Sequence, residues 1–191
     1  MDSMTIEYTN RKGQIFYLHQ GITKTGKPKY FFSLRREGEA VEKIPVGFEI
    51  YENPDARVSL RRKQPKIISD DEVRMVDQAM KRLCNLEYYQ IDVKKDTITI
   101  YTGEENTGPL EALFGPTAKG KLKELLNRYV PYTAVLRFVL RDKEKREFTV
   151  ERYCFRGSID DWIEIGEVGK LKELVREYVK HLGEETFYEL F

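Results

Sequence analysis

Between residues 14 and 64 the apolar and polar positions change over every few residues, broken by turn-forming stretches. Gln14–His19 is rich in aromatic and branched residues, and Lys29–Leu34 repeats that character. Thr23-Lys-Thr-Gly-Lys-Pro28 between them has turn composition. Gly47–Tyr51 and Arg57–Arg62 each alternate apolar with polar residues, as half-buried strands do, around a turn at Asn53–Ala56. Val41–Ile44 reads as a further short strand. Turn signals this closely spaced predict a small antiparallel meander over residues 1–66. The period then changes. Val73, Val76, Met80 and Leu83 fall on one face of a helix expected over about residues 70–84. Ser69-Asp-Asp-Glu72 precedes it as a capping box, and its acids suit the positive end of the helix dipole.

The second half repeats itself. Gly120-Lys-Leu-Lys-Glu-Leu-Leu-Asn-Arg-Tyr-Val130 returns as Gly169-Lys-Leu-Lys-Glu-Leu-Val-Arg-Glu-Tyr-Val179, identical at eight of 11 positions. Each copy carries Leu, Leu and Tyr at helical spacing, and each follows a hairpin-like stretch. The first stretch is Tyr88–Tyr101, turning near Lys94–Asp96. The second is Tyr132–Phe155, turning near Arg141–Arg146. Generic amphipathic helices also contain Lys-Leu-Lys-Glu-Leu, but the shared order of hairpin then helix favours a duplication. The expected fold is α+β: an N-terminal β meander, a connecting helix, and a ββα-ββα unit over residues 67–191 with its helices on one face of an antiparallel sheet. In that arrangement Tyr129 and Tyr178 are equivalent core positions. Strand alternation places Phe148, Val150 and Arg152 on one side and Glu147, Thr149, Glu151 and Tyr153 on the other. Cys154 belongs in or near the core. Asp160 and Asp161, after Ser158, suggest a helical turn ending near Trp162. Gly183 suits a helix terminus, and the apolar residues Phe187, Tyr188, Leu190 and Phe191 are expected to pack back on the domain.

Composition narrows the chemistry. The 191 residues carry 33 basic and 32 acidic side chains, 12 Tyr, 10 Phe and one Trp, which is globular rather than disordered composition. No apolar run approaches the ~20 residues of a membrane helix. No signal peptide is visible, and the two cysteines make no disulfide framework, so a cytoplasmic setting is expected. No metal or cofactor is expected either. His19, His181, Cys84 and Cys154 lack the close spacing of structural zinc sites. The same few residues limit nucleophilic catalysis, and His181 falls in the last turn of an expected helix, where a partial charge suits the dipole. Gly21–Pro28 and Gly115–Leu122 mimic a phosphate loop. Pro28 and Leu122 stand where Mg²⁺ chemistry requires Ser or Thr.

The near-neutral total hides an asymmetry. Residues 1–66 hold 13 basic and 8 acidic residues, so the meander is cationic and the remainder anionic. Lys24, Lys27, Lys29, Arg35 and Arg36 surround Tyr30, Phe31 and Phe32, and Arg61, Arg62 and Lys63 follow. Cations interleaved with aromatics suit phosphates and stacked bases. Tyr30 and Phe32 share one face and Phe31 takes the other, so one face is expected to be core. The leading expectation is a non-enzymatic accessory or binding protein, engaging an unidentified protein partner or nucleic acid, with those eight cations on phosphates and Tyr30 stacking. An enzymatic alternative is a Mg²⁺-dependent phosphodiesterase or nuclease built on Asp92-Val-Lys94, the acid holding the metal and the lysine the phosphate. It needs a further carboxylate, with Asp77, Glu87 and Glu104 as candidates. A third alternative is an interaction scaffold pairing through an exposed sheet edge.

Gly21-Ile-Thr-Lys-Thr-Gly-Lys-Pro-Lys-Tyr-Phe-Phe-Ser33, Pro45-Val-Gly-Phe-Glu-Ile-Tyr-Glu-Asn-Pro54 and Arg156-Gly-Ser-Ile-Asp-Asp-Trp162 together resemble a family of uncharacterised bacterial proteins. The quoted stretches make up 30 of the 191 residues. The resemblance implies a prokaryotic, cytoplasmic origin and brings no activity, cofactor or catalytic residue.

Overall fold

The computed structural model describes residues 5–39, 41–103, 129–155 and 160–190. The chain divides into two compact units, Met1–Gln64 with Gly120–Tyr129, and Pro65–Lys119 with Val130–Phe191. The architecture is α+β and mostly antiparallel.

The first unit holds a three-stranded meander of β1 (Glu7–Thr9), β2 (Ile15–Ile22) and β3 (Pro28–Ser33) in that spatial order. Pro28, which cannot donate to a ladder, is tolerated at the first position of an edge strand. A separate hairpin pairs β4 (Phe48–Glu52) with β5 (Val58–Arg62). Two buried or half-buried groups tie hairpin to meander. Asn10, 3% exposed, donates to the Ala56 carbonyl at 2.8 Å and accepts from the Gln14 amide. Glu52 accepts from the Tyr8 hydroxyl at 3.0 Å and the Arg11 amide at 2.9 Å. Burial, and then the Glu52 carboxylate, raise the Tyr8 hydroxyl above its ordinary pKa. The strand expected at Val41–Ile44 does not form. Val41 instead makes two isolated backbone bonds, to Ile6 and Leu18, and the chain leaves it toward Pro45.

His19 lies 2% exposed within this unit. Its Nε2 is 2.8 Å from the Arg35 carbonyl, which can only accept, so that nitrogen carries the proton. The space beside its Nδ1 is kept by Gly38, where an added Cβ would sit 2.7 Å away.

The second unit begins with α1 (Asp70–Leu83), and the capping box forms as expected: the Ser69 hydroxyl accepts from the Glu72 amide and Glu72 reaches back to the Ser69 amide at 2.8 Å. Strands β6 (Tyr89–Lys94), β7 (Thr97–Gly103), β8 (Tyr132–Asp142), β9 (Glu147–Cys154) and β10 (Asp161–Glu164) form one antiparallel sheet, ordered β10-β9-β8-β7-β6. A short β11 (Gly169–Lys170) pairs with β9 and leads into α2 (Leu171–Tyr178). Val76 and Met80 of α1, Leu171, Leu174 and Val175 of α2, and Ile98, Ile100, Phe138, Phe148 and Val150 of the sheet make one core cluster. Both helices therefore cover the same side of the sheet. Arg152 shares that side and is 6% exposed, its guanidinium donating to the Leu190 carbonyl at 3.4 Å and lying 5.9 Å from the Phe187 ring. Phe187 is buried, so the C-terminal segment packs back on the unit, although Tyr188 is exposed.

Two expectations are corrected. Asp161 and Trp162 begin strand β10, not a helical turn, because Trp162 pairs in register with Tyr153 of β9. Tyr129 is 56% exposed, whereas Tyr178 is buried with its hydroxyl donating to the Ile165 carbonyl, so the two are not equivalent core positions. Gly183, at φ 86°, takes the helix-terminal position expected of it, following Leu182, which caps the 3-10 segment Val179–His181 that continues α2. The two hairpins do share one sheet. The rest of the helix expected for the first repeat, 120–128, lies outside the described residues.

Glu72 does a second job. Arg146, at φ 51° in the turn between β8 and β9, grips the same carboxylate through Nε at 3.0 Å and through Nη2, and also reaches the Ile67 carbonyl. Burial opposes ionisation of Glu72, but the hydrogen bonds from Arg146 and Ser69 outweigh it and hold the carboxyl below its ordinary pKa. A depressed carboxyl contributes stability that is complete above its unfolded pKa and is lost as pH falls through the folded one.

Two outcomes are expected. Arg146→Gly relieves a left-handed backbone yet removes the fork, so denaturant unfolding at neutral pH should show a net loss of about 1–3 kcal/mol. A gain would mean the backbone, not the ion pair, decides. Glu72→Gln should flatten the fall in stability at acid pH. Separately, Gly38→Ala should destabilise the first unit by about 1–3 kcal/mol, read as faster amide exchange in β2 and β3; unchanged exchange would show that His19 can give way.

Candidate nucleic-acid interface

Register decides which cations of the first unit share a face. Cross-strand partners of an antiparallel pair lie on the same side. Lys29, Phe31 and Ser33 of β3 therefore join Gly21, His19 and Tyr17 of β2. Pro28, Tyr30 and Phe32 join Ile22, Gln20 and the fully buried Leu18 on the opposite side. Tyr30 is half-buried, its ring 6.4 Å from that of Phe48 on the second hairpin. Phe31 is 42% exposed, with His19 beneath it at 5.7 Å between ring centroids. The aromatic offered beside Lys29 is thus Phe31. Tyr30, despite its cationic neighbours in sequence, is spent on packing.

The cations divide in the same way. Lys24 and Lys27 sit at the β2–β3 turn, where the Thr23 amide donates to the Lys27 carbonyl and the Lys27 amide donates to the Thr23 hydroxyl. That turn leads into a strand, not a helix, so the Gly21–Pro28 stretch has no phosphate-binding helix start. The other such stretch, Gly115–Leu122, lies outside the described residues. Arg35 and Arg36 follow the end of β3. The side chains of Lys24, Lys27, Lys29, Arg35 and Arg36 are all exposed, and none makes an ion pair among the described residues. Arg61 is different: it pairs with Glu49 at 2.7 Å and stacks over Tyr51 at 4.1 Å. Arg62 lies on the other face of that hairpin, 6.0 Å from the Phe48 ring, and Lys63 follows it, exposed. The eight expected cations do not form one surface. Lys29 shares the face of Phe31, Lys24 and Lys27 lie in the turn at one end of β3, and Arg35 and Arg36 follow its other end.

In the second unit Asp92 is buried on the side of the sheet opposite the helices and pairs with Lys94 at 3.3 Å. Asp77 cannot join it. That carboxylate is on α1, held by Lys81 at 2.6 Å and by the hydroxyl of Tyr89, which faces the helix side. The two hydrogen bonds outweigh burial and lower its pKa, while burial and Asp77 raise that of Tyr89. Glu104 lies outside the described residues. Among the described residues no group of three or more His, Cys, Asp or Glu is placed to hold a metal ion. His181 is held by Thr186 at 2.8 Å. Cys84 donates to the Leu182 carbonyl, and Cys154 is buried.

A polar row that local sequence does not reveal crosses the same side of the sheet. Paired registers align Asp92, Thr99, Arg137, Glu151 and Glu164 across five strands. Glu151, 7% exposed, takes both Arg137, at 2.6 Å, and Arg141, at 3.1 Å. Arg137 also lies 4.2 Å from the Trp162 ring, which meets Tyr153 edge-on. Arg137 and Arg141 both neutralise Glu151, Arg141 also reaches Glu164 at 3.4 Å, and Lys94 pairs with Asp92, so the charges of the row are satisfied by their neighbours and leave little for a ligand. Alternation in the sequence marks these as one face, but only the strand order shows that they are neighbours.

Among the described residues no helix is long and apolar enough to cross a membrane. In comparison with known proteins, no family model matches the chain, no curated protein matches it, and no solved structure matches it.

Proposed function

We propose that this is a non-enzymatic binding protein whose first unit takes single-stranded nucleic acid along the β2–β3 hairpin. The observation that carries the reading is the company of Phe31. An exposed aromatic ring lies on the Lys29 face of a hairpin whose strand ends carry four more exposed cations, none with an acidic partner among the described residues. Lys24, Lys27, Lys29, Arg35 and Arg36 meet phosphates; Phe31 stacks under a base. Stacking is tolerant of base identity because every base has a π face, so the recognition is by charge and shape more than by sequence. A single strand suits the site better than a duplex, whose bases are stacked on each other and out of reach of Phe31. Glu7 of β1, paired with Tyr17 and so on this same face, marks its acidic limit. The reading needs no metal and no cofactor. A reducing, cytoplasmic setting suits it, since Cys84 and Cys154 are both free thiols.

The test is a fluorescence-anisotropy titration with a labelled single-stranded oligonucleotide over a range of salt. Lys27→Glu with Lys29→Glu should weaken binding and reduce the salt slope by about 0.7 for each phosphate no longer neutralised. Phe31→Ala should cost about tenfold in affinity or more without changing that slope. Binding unmoved by the double charge reversal overturns the proposal, as does equal weakening by Tyr30→Ala and Phe31→Ala at unchanged fold.

A further inference from the structure

The second unit carries a groove that the polyanion reading does not use. It runs between α1 and α2 and encloses about 580 Å³. Its floor is apolar: Met75 and Ala79 are half-buried, Val175 is buried, and Leu83 remains 41% exposed. Its rim is cationic. Arg82 stands on the α1 side, with Lys172 and Arg176 on the α2 side.

Neighbouring charges are disposed away from this groove. On α1, Arg74 is paired with Asp71 and Lys81 with Asp77, so those cations are already neutralised. On α2, Glu173 and Glu177 are exposed but do not line the groove. Arg82, Lys172 and Arg176 are exposed and make no ion pair or hydrogen bond among the described residues. Lys172 and Arg176 are moreover four residues apart on one helix, a spacing at which like charges repel. A groove with an apolar floor and an unpaired cationic rim is complementary to a segment with an apolar stripe and acidic flanks. The cleft between two helices accepts a third helix laid along it, and a methionine in the floor adapts to the side chains that enter. The floor holds no aromatic ring on which a base could stack.

We infer that the groove between α1 and α2 is the docking site for an acidic amphipathic helix of a partner protein, its apolar stripe on Met75, Ala79, Leu83 and Val175 and its carboxylates on Arg82, Lys172 and Arg176. Its site is in the second unit, so it stands or falls independently of nucleic-acid binding by the first. Charge sets orientation and on-rate, and the apolar floor supplies the contact area.

The full chain is titrated with a fluorescein-labelled synthetic peptide of about 15 residues, long enough to form a helix on docking, with Leu at i, i+3, i+4 and i+7 and Glu at most other positions. Control peptides replace every Glu by Lys, or every Leu by Ser. Saturable binding of the Glu/Leu peptide alone is expected. Arg82→Glu with Arg176→Glu should weaken it about tenfold or more, and Ala79→Trp, which fills the groove, should abolish it. Methyl resonances of Met75 and Val175 should shift on titration. Lys27→Glu with Lys29→Glu should leave peptide binding intact. No saturable binding, binding indifferent to the Arg82 and Arg176 reversals, or displacement of the peptide by a single-stranded oligonucleotide with the same residue dependence each overturns the inference. Thermal melts of the variants confirm that exposed substitutions leave the fold unchanged.

Discussion

Glu72 is where the second unit is held together. One carboxylate closes the first turn of α1 through Ser69 and receives the guanidinium of Arg146 from the β8–β9 turn. A helix of 14 residues gains little stability from its own backbone and depends on packing. The fork ties its N-terminus to the β8–β9 turn, and Val76 and Met80 pack in one core with Ile98, Ile100 and Phe138. Arg146 accepts a left-handed backbone to reach that position, and the half-buried ion pair compensates for it.

The two units solve the problem of stability differently. The second has a broad aliphatic and aromatic core. The first has few fully buried apolar side chains among its described residues, Leu18 chief among them, and relies on hydrogen-bonded polar groups: Asn10 across to Ala56, Glu52 across to Tyr8 and Arg11, and His19 onto Arg35. Such a unit is sensitive to geometry, since a buried polar group that loses its partner costs more than the bond contributed. It also explains why Tyr30 is drawn inward. A small β module needs aromatic area against its second hairpin, and Phe48 offers it.

What the sequence makes legible is what is local. The Ser69 capping box, the β6–β7 and β8–β9 hairpins and the two faces of β9 are all readable, because caps and alternation act over a few residues. The opposite orientation of Tyr30 and Phe31 is readable too, but not which of them is packed, since Phe48 lies in another hairpin. Arg146 and Glu72 are 74 residues apart, and no spacing rule connects them. The pair Asp160 and Asp161 has the composition of a helix start. Asp161 enters a strand because Trp162 gains more by lying over Arg137 and against Tyr153 than a helical turn would offer. Asp92 and Lys94 do lie beside a hairpin turn, yet the candidate carboxylate Asp77 is on the other side of the sheet.

Arg152 has a consequence for the order in which the molecule can be finished. It stands in the core wall, and the Leu190 carbonyl that receives its guanidinium lies 38 residues further along the chain. A ribosome adds residues over seconds, and domains take shape as they emerge. Until Phe187 and Leu190 are outside the exit tunnel, the sheet can assemble but a cation remains in its wall without its cover. The nascent second unit therefore waits on its final stretch, and what closes it is a carbonyl and a ring arriving late, not a further strand.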